Sequence, residues 1–313
     1  MRPMGEMETV TTKSESSSIG EILRLHAQWI EDASVGDRCI LENVALNELN
    51  LSEVNLQGAI LRGVTLIDAE LSGIKLSKAV LDSSNFGRAL ASESDFGEAQ
   101  ILDCQFAASW ISEGNFSDAT IRNTTFQKAN LRQARFQGAS IENCQWLAAT
   151  LNAAGFHHAQ ISACDFTESE FVAAQFLRAR IQNCRFWGAN GADANFNNSV
   201  LKVCDFSRAD LTGAKFVQAD LTGSQFDRAR LRHADLREAR LGGVILGRAE
   251  LAGARMGGAV LFAADLRGAD LTGARELTWQ QLLQARTDST TILPNGTQGP
   301  YKRRSGAERP IPI

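Results

Sequence analysis

The chain contains no apolar run long enough to span a membrane, and its first residues carry Glu6, Glu8 and Glu15 where a signal peptide would place a hydrophobic stretch. It has six cysteines but no Cys-x-x-Cys pair and no Cys/His spacing of the kind that holds zinc. Histidine is scarce and scattered: His26, the neighbours His157 and His158, and His233. No Ser/His/Asp arrangement, paired-carboxylate motif or phosphate-cradling loop is legible. These absences argue against a membrane protein, a metalloprotein and an enzyme. The expectation is a cytoplasmic, non-catalytic protein with free thiols and no cofactor or metal.

What is present is a period of five. From Leu41 to Leu271 every fifth residue is Leu, Ile, Phe, Met or Trp, broken only by Ala91 and Gly191, with no insertion or deletion. A helix buries an apolar recurrence near 3.6 residues and a strand one near 2, so neither holds this pattern alone. Two residues before each centre the side chain is small, as in Ala59, Cys104, Ala139, Cys164 and Ala209. Residues two apart on an extended chain point the same way, so small and large residues share one interior while the other three positions of each five face water. The cysteines all occupy the small inward position and read as compact apolar fillers. Stacked at coil spacing, their Cβ atoms lie outside the disulfide window.

A longer period is superimposed. Cys144, Cys164, Cys184 and Cys204 are spaced by twenty, as are Ile101, Ile121, Ile141, Ile161 and Ile181. Twenty residues is four pentapeptides, hence a four-sided coil in which like stacks on like. The walls are numbered here by their centres: the first through Leu41 and Leu61, the second through Leu46 and Leu66, the third through Leu51 and Leu71, the fourth through Leu56 and Leu76. Phenylalanine falls on the second and fourth walls. About twelve coils at roughly 4.8 Å give a rod on the order of 55 Å long.

The motif, as in Ala209-Asp210-Leu211-Thr212-Gly213 and Ala269-Asp270-Leu271-Thr272-Gly273, resembles that of the pentapeptide-repeat proteins over residues 39–275. The resemblance implies an all-β solenoid, a right-handed quadrilateral β-helix of four pentapeptides per coil. It leaves the role open, since one fold carries many functions.

The expected organisation is a disordered tail over 1–17, a capping helix and linker over 18–38, the β-helix over 39–276, a C-terminal capping helix with its closing segment over 277–296, and a second disordered tail over 297–313. Ser18 with Glu21 and Thr278 with Gln281 read as capping boxes, and Leu277 with Leu282 as a hydrophobic staple. Ile22, Leu25, Trp29 and Ile30 form the apolar face of the first helix. An alternative use of the C-terminal helix, implied by the family's topoisomerase-protecting members, is homodimerisation. At Gly191 the neighbouring Phe171 predicts volume compensation; at Ala91 a bulge or kink is expected.

Binding surfaces remain. The third wall carries nine outward acids against Arg132, Arg230 and Arg232, and its first four coils hold Glu53, Glu70, Glu93 and Glu113 with no base. A solvated acidic face is the plain reading. The alternative is a partner-binding patch of Glu70, Leu90, Glu93, Trp110 and Glu113, with Leu147 and Trp187 as a weaker second candidate. Two functions compete. One is a scaffold or adaptor for a protein partner of unknown identity, binding no nucleic acid directly. The other, implied by the resemblance, is a DNA-mimicking protein that binds DNA gyrase or topoisomerase IV and protects it from inhibitors.

Overall fold

The computed structural model describes residues 18–310; the tail expected over 1–17 and residues 311–313 lie outside the described residues. Helix α1 (Ile19–Glu31) precedes nine three-residue strands, β1 (Ile40–Glu42), β2 (Ile60–Arg62), β3 (Val80–Asp82), β4 (Gln100–Leu102), β5 (Thr120–Arg122), β6 (Ser140–Glu142), β7 (Gln160–Ser162), β8 (Arg180–Gln182) and β9 (Val200–Lys202), and helix α2 (Trp279–Gln284) follows them. The strands form one parallel sheet in sequence order, each residue paired with the residue twenty further on, as Leu41 with Leu61. Bridges at the same interval form the other three walls and carry the coil to Arg255 and Arg275. The centres are buried along the whole rod in one continuous core, as are the small residues two before them apart from exposed Leu49 and half-buried Val54 in the first coil.

The corners divide into two kinds. On the second, third and fourth walls the N–H of the inward small residue donates to the carbonyl three residues back, as Ala59 to Leu56 at 3.0 Å and Ala154 to Leu151 at 3.0 Å. The residue before the small one is left-handed, with φ +60° at Glu53 and +71° at Gly213, as a type II turn requires. The first wall opens this turn. There the inward N–H of Val64 donates to Ser84 Oγ at 3.2 Å, that of Cys104 to Thr124 Oγ1 at 3.3 Å, that of Cys144 to Cys164 Sγ at 3.4 Å and that of Cys204 to Ser224 Oγ at 3.0 Å. The Ser/Thr/Cys ladder therefore supplies acceptors as well as filling volume, which goes beyond the apolar role expected of the cysteines. From Leu221 onward the next coil offers Val244 and Ala264, which have no acceptor. The turns close accordingly, Ser224 N–H to Leu221 O at 3.0 Å and Val244 N–H to Leu241 O at 3.2 Å.

Burial pushes the thiols of Cys39, Cys104 and Cys204 up to about 12. Contact with the Cys164 thiol, together with burial, raises Cys144 and Cys184 as well. Replacing Cys164 with alanine strands the Cys144 N–H, at a cost of about 1–3 kcal/mol, whereas Cys164→Ser keeps an acceptor and is expected to lose less. Chemical denaturation of the two variants checks this; alanine as stable as serine would return the ladder to a purely apolar role.

The aromatic walls form as expected. On the second wall Phe86, Phe106, Phe126, Trp146, Phe166, Phe186, Phe206 and Phe226 stack with centroids 4.2–5.4 Å apart. On the fourth, Phe96 to Phe216 do the same, and the two stacks meet edge to face. At Gly191 the Phe171 ring fills the space that a side chain would occupy and packs edge-on against Phe176, Phe186 and Phe196. The bulge expected at Ala91 is absent. Ala91 N–H keeps its bond to Trp110 O at 2.7 Å and Leu90 points outward, because the between-coil bonds hold the register regardless of the small centre.

Both ends are covered. Ser18 caps α1 by accepting from Glu21 N–H at 3.4 Å, but the Glu21 carboxylate turns to Arg24 at 2.8 Å, so the expected box is only half made. Of the expected face of α1, Ile22 is buried and Leu25, Trp29 and Ile30 are half-buried; His26 is the other buried residue, and Ile19 and Leu23 also pack against the core. His26 Nδ1 accepts the Cys39 N–H at 3.0 Å, satisfying one donor at the open edge of the first coil, and its ring stacks on Trp29. Helix α2 makes its full capping box between Thr278 and Gln281, and Leu277 and Leu282 are buried. The segment 297–310, expected as a tail, packs back onto this end: Tyr301 and Ala307 are buried, Tyr301 Oη donates to Glu308 at 2.9 Å, and Arg303 lies over Trp279.

Burial, with the Arg38 charge, lowers the His26 pKa, while the Gln57 carbonyl opposes this. The unfolded chain thus takes the proton first, and the lid loses stability as pH falls below about 6.5 toward the folded value, with no effect above. The thermal midpoint is expected to fall between about pH 7 and pH 5, and His26→Asn, which keeps an acceptor near Nδ1, is expected to flatten that dependence.

Candidate partner-binding surface

Each pentapeptide presents outward the residue before its centre and the two after it, and the parallel bridges line these up from coil to coil. On the third wall Glu70, Leu90 and Trp110 are consecutive rungs of one ladder. Leu90 and Trp110 are each 51% exposed, although residues of their kind are mostly buried elsewhere in the rod. Backbone bonds on both sides fix them: Leu90 N–H to Ala69 O at 2.9 Å and Trp110 N–H to Ala89 O at 2.9 Å.

Glu93 and Glu113 stand at the next corner, both exposed and left-handed, with φ +58° and +60°. The structure therefore brings together all five residues of the main candidate patch. Glu70 accepts from Asn50 at 2.6 Å, and among the described residues none of the three carboxylates is ion-paired. An apolar pair set in unneutralised acid can receive an apolar side chain rimmed by Lys or Arg.

The second candidate is weaker in fact. Leu147 and Trp187 sit two coils apart on the corner after the second wall, both only half-exposed, with buried Thr167 between them. The Arg208 guanidinium lies 5.5 Å over the Trp187 ring.

Two features escaped the sequence reading. The C-terminal end of the first wall exposes Val260 at 46% and Phe262 at 69%, and three coils earlier Val203 is 63% exposed. The signal was available, since these numbers fall on outward positions of the five-residue frame. Charge is also divided along the rod and not only among its walls. Residues 18–170 hold twenty acidic and ten basic side chains, and residues 171–313 hold thirteen and twenty, net −10 and +7.

Comparison with known proteins agrees with the coil. The pattern of the family described as Pentapeptide repeats matches residues 39–77, 204–243 and 245–275, and that of the Pentapeptide repeat region matches 99–176 and 139–216. No curated protein sequence matches the chain. Among solved structures, HetL from the cyanobacterium Nostoc, a pentapeptide repeat protein involved in heterocyst differentiation regulation, is 23% identical, covering 90% of this chain and 98% of its own, with a TM-score of 0.32. A pentapeptide repeat protein of the Arabidopsis thaliana thylakoid lumen is 36% identical over 32% of this chain and 68% of its own, TM-score 0.31. A trypsin-treated form of QnrB1, a plasmid-mediated fluoroquinolone resistance protein, is 20% identical over 63% of this chain and 89% of its own, TM-score 0.35. With an unbroken five-residue register, four walls per coil and two matching family patterns, the chain belongs to the pentapeptide-repeat family.

Proposed function

We propose that the chain is a non-catalytic protein-binding scaffold whose partner docks on the third wall around Leu90 and Trp110. The observation that carries this reading is the pairing of two half-exposed apolar rungs with Glu70, Glu93 and Glu113, none of them ion-paired. The rungs are held by backbone bonds on every coil, so docking costs little ordering of the rod itself. A partner with a complementary surface presents an apolar side chain flanked by Lys or Arg.

The alternative, a DNA-mimicking protein acting on DNA gyrase or topoisomerase IV, draws support from the acidic half of the rod. Charge density weighs against it. Over about 30 Å duplex DNA carries roughly eighteen charges, against a net −10 for residues 18–170.

Affinity capture from host lysate with the tagged protein separates the readings. The reversal Glu70→Lys, Glu93→Lys and Glu113→Lys, combined with Trp110→Ala, is expected to leave the melting transition unchanged and to abolish capture of the specific partner. Gyrase or topoisomerase IV subunits lost in that variant would establish the mimic. Identical capture by both forms would overturn the patch.

A further inference from the structure

An apolar surface lies exposed where the first wall runs into the C-terminal cap. Val260 and Phe262 flank the buried Leu261 and both face outward. Gly242 is the rung before Phe262, so no side chain shields the ring from that side. Ala263 N–H donates to Gln284 O at 2.9 Å, as Gly243 does to Phe262 O one coil earlier, and this sets Leu283 and Gln284 of α2 on the rung beyond Phe262. Leu283 is 46% exposed, and Trp279, one helical turn back on the same face, is 37% exposed. Val260, Phe262, Leu283 and Trp279 thus follow one another as a continuous strip.

Cations without an acid of their own edge the strip. Arg240 is the rung before Val260. The Arg303 guanidinium lies 5.0 Å over the Trp279 ring, with Lys302 and Arg304 beside it in the chain. Among the described residues none of these four is ion-paired, and the acids at this end are engaged elsewhere: Asp265 with Arg267 at 2.6 Å, Glu276 with Arg255 at 3.0 Å, and Glu308 accepting from Tyr301 at 2.9 Å. We propose that this end of the rod docks on an anionic lipid surface. Apolar and aromatic side chains that project from the backbone, ringed by Arg and Lys on long stems, match the boundary between acyl chains and headgroup phosphates. A bilayer receives such a convex strip without a matched pocket, whereas a folded acidic partner would need one for each projecting ring.

The division of charge along the chain, net −10 for residues 18–170 and +7 for 171–313, sets the orientation on such a surface. Trp110 lies 150 residues before Val260, seven and a half coils of twenty, or about 36 Å along the axis. That is several Debye lengths at physiological salt. The basic end therefore meets the headgroups while the acidic half stands clear of them, with the third-wall patch held out in solution. The inference goes beyond the partner reading and does not depend on it.

The test is flotation of the full chain with vesicles of phosphatidylcholine alone and of phosphatidylcholine mixed with phosphatidylglycerol, the folding of each variant being checked by thermal melting. The chain is expected to float with the anionic vesicles and not with the neutral ones. Phe262→Ser with Leu283→Ser is expected to lower that binding about tenfold, and Arg303→Glu with Arg304→Glu to do the same. Brominated acyl chains are expected to quench Trp279 fluorescence, an effect lost in Trp279→Phe. Equal flotation with neutral vesicles, or anionic binding indifferent to Phe262→Ser with Leu283→Ser, would overturn the proposal. So would failure to float with either vesicle, and polyglutamate binding lost in Arg303→Glu with Arg304→Glu would then assign the surface to an acidic protein.

Discussion

Gly191→Leu is expected to be the most damaging single substitution on the third wall. A Cβ at that position lands on the edge of the Phe171 ring, one coil away, before the rest of the leucine is considered. The ring has nowhere to go, being wedged edge-on between Phe176, Phe186 and Phe196 at 5.6–6.2 Å. Overpacking of this kind costs about 1–3 kcal/mol and more where the neighbours cannot relax. The informative comparison is with Phe171→Leu, which alone leaves a cavity at about 2–4 kcal/mol, in the range for large-to-small core changes. Combined, the two substitutions restore leucine on leucine, as elsewhere on that wall. The double variant is expected to be more stable than either single one, with a coupling energy of about 2 kcal/mol in a denaturant cycle. Additive losses would show that the large ring and the missing side chain are unrelated.

Gln281→Leu is expected to unseat the C-terminal cap. The Gln281 amide is buried and donates to two carbonyls of the last full coil, Met256 O at 2.8 Å and Ala259 O at 2.9 Å, while its oxygen accepts the Thr278 N–H at 2.8 Å. Leucine matches the volume and removes every one of these partners. With about 1–3 kcal/mol for each stranded buried group, the loss is on the order of 3 kcal/mol or more. Because contacts in a solenoid are between neighbouring coils, the damage starts at one end. Hydrogen exchange is expected to rise first at amides after Leu251, with the coils before Leu151 unchanged. Gln281→Glu separates the two roles, since it keeps the acceptor for Thr278 and sets a carboxylate against two carbonyl oxygens. Protection retained in that variant would mean that the capping box, and not the amide's grip on the coil, holds the end.

The coil itself was legible because its signal is local and repeated. Leu41, Leu46, Leu51 and Leu56 already state the four walls, and the twenty-residue recurrence of Cys144 and Cys164 states how they stack. Thr278 and Gln281 announced the second cap for the same reason, being three residues apart. What was not legible depends on residues far apart or on a choice among near-equal faces. The acceptor for an open first-wall N–H lies twenty residues later, Thr124 for Cys104 and Ser224 for Cys204. The expected face of α1 held Ile22 but not His26, because a polarity pattern scores Leu25 above His26, whereas the first coil needs an acceptor for the Cys39 N–H. Tyr301 and Ala307 belong to no period, so nothing in the pattern announced that 297–310 would fold back. Of the site, Leu90 and Trp110 were found because the frame makes any outward apolar residue conspicuous. Val260 and Phe262 were equally conspicuous and were passed over with the charges sorted around the rod only.

The undisturbed register makes the rod a ruler. Each residue pairs with the one twenty further on, so adding or removing one whole coil moves everything beyond it by about 4.8 Å along the axis and leaves its facing the same. Distance between two displayed side chains can then be changed without changing direction, in increments the size of one strand. A globular domain has no such adjustment, because lengthening any element there also rotates or displaces its neighbours. Chain length in this molecule is therefore a separately tunable coordinate of recognition, set by the number of coils between one displayed group and the next.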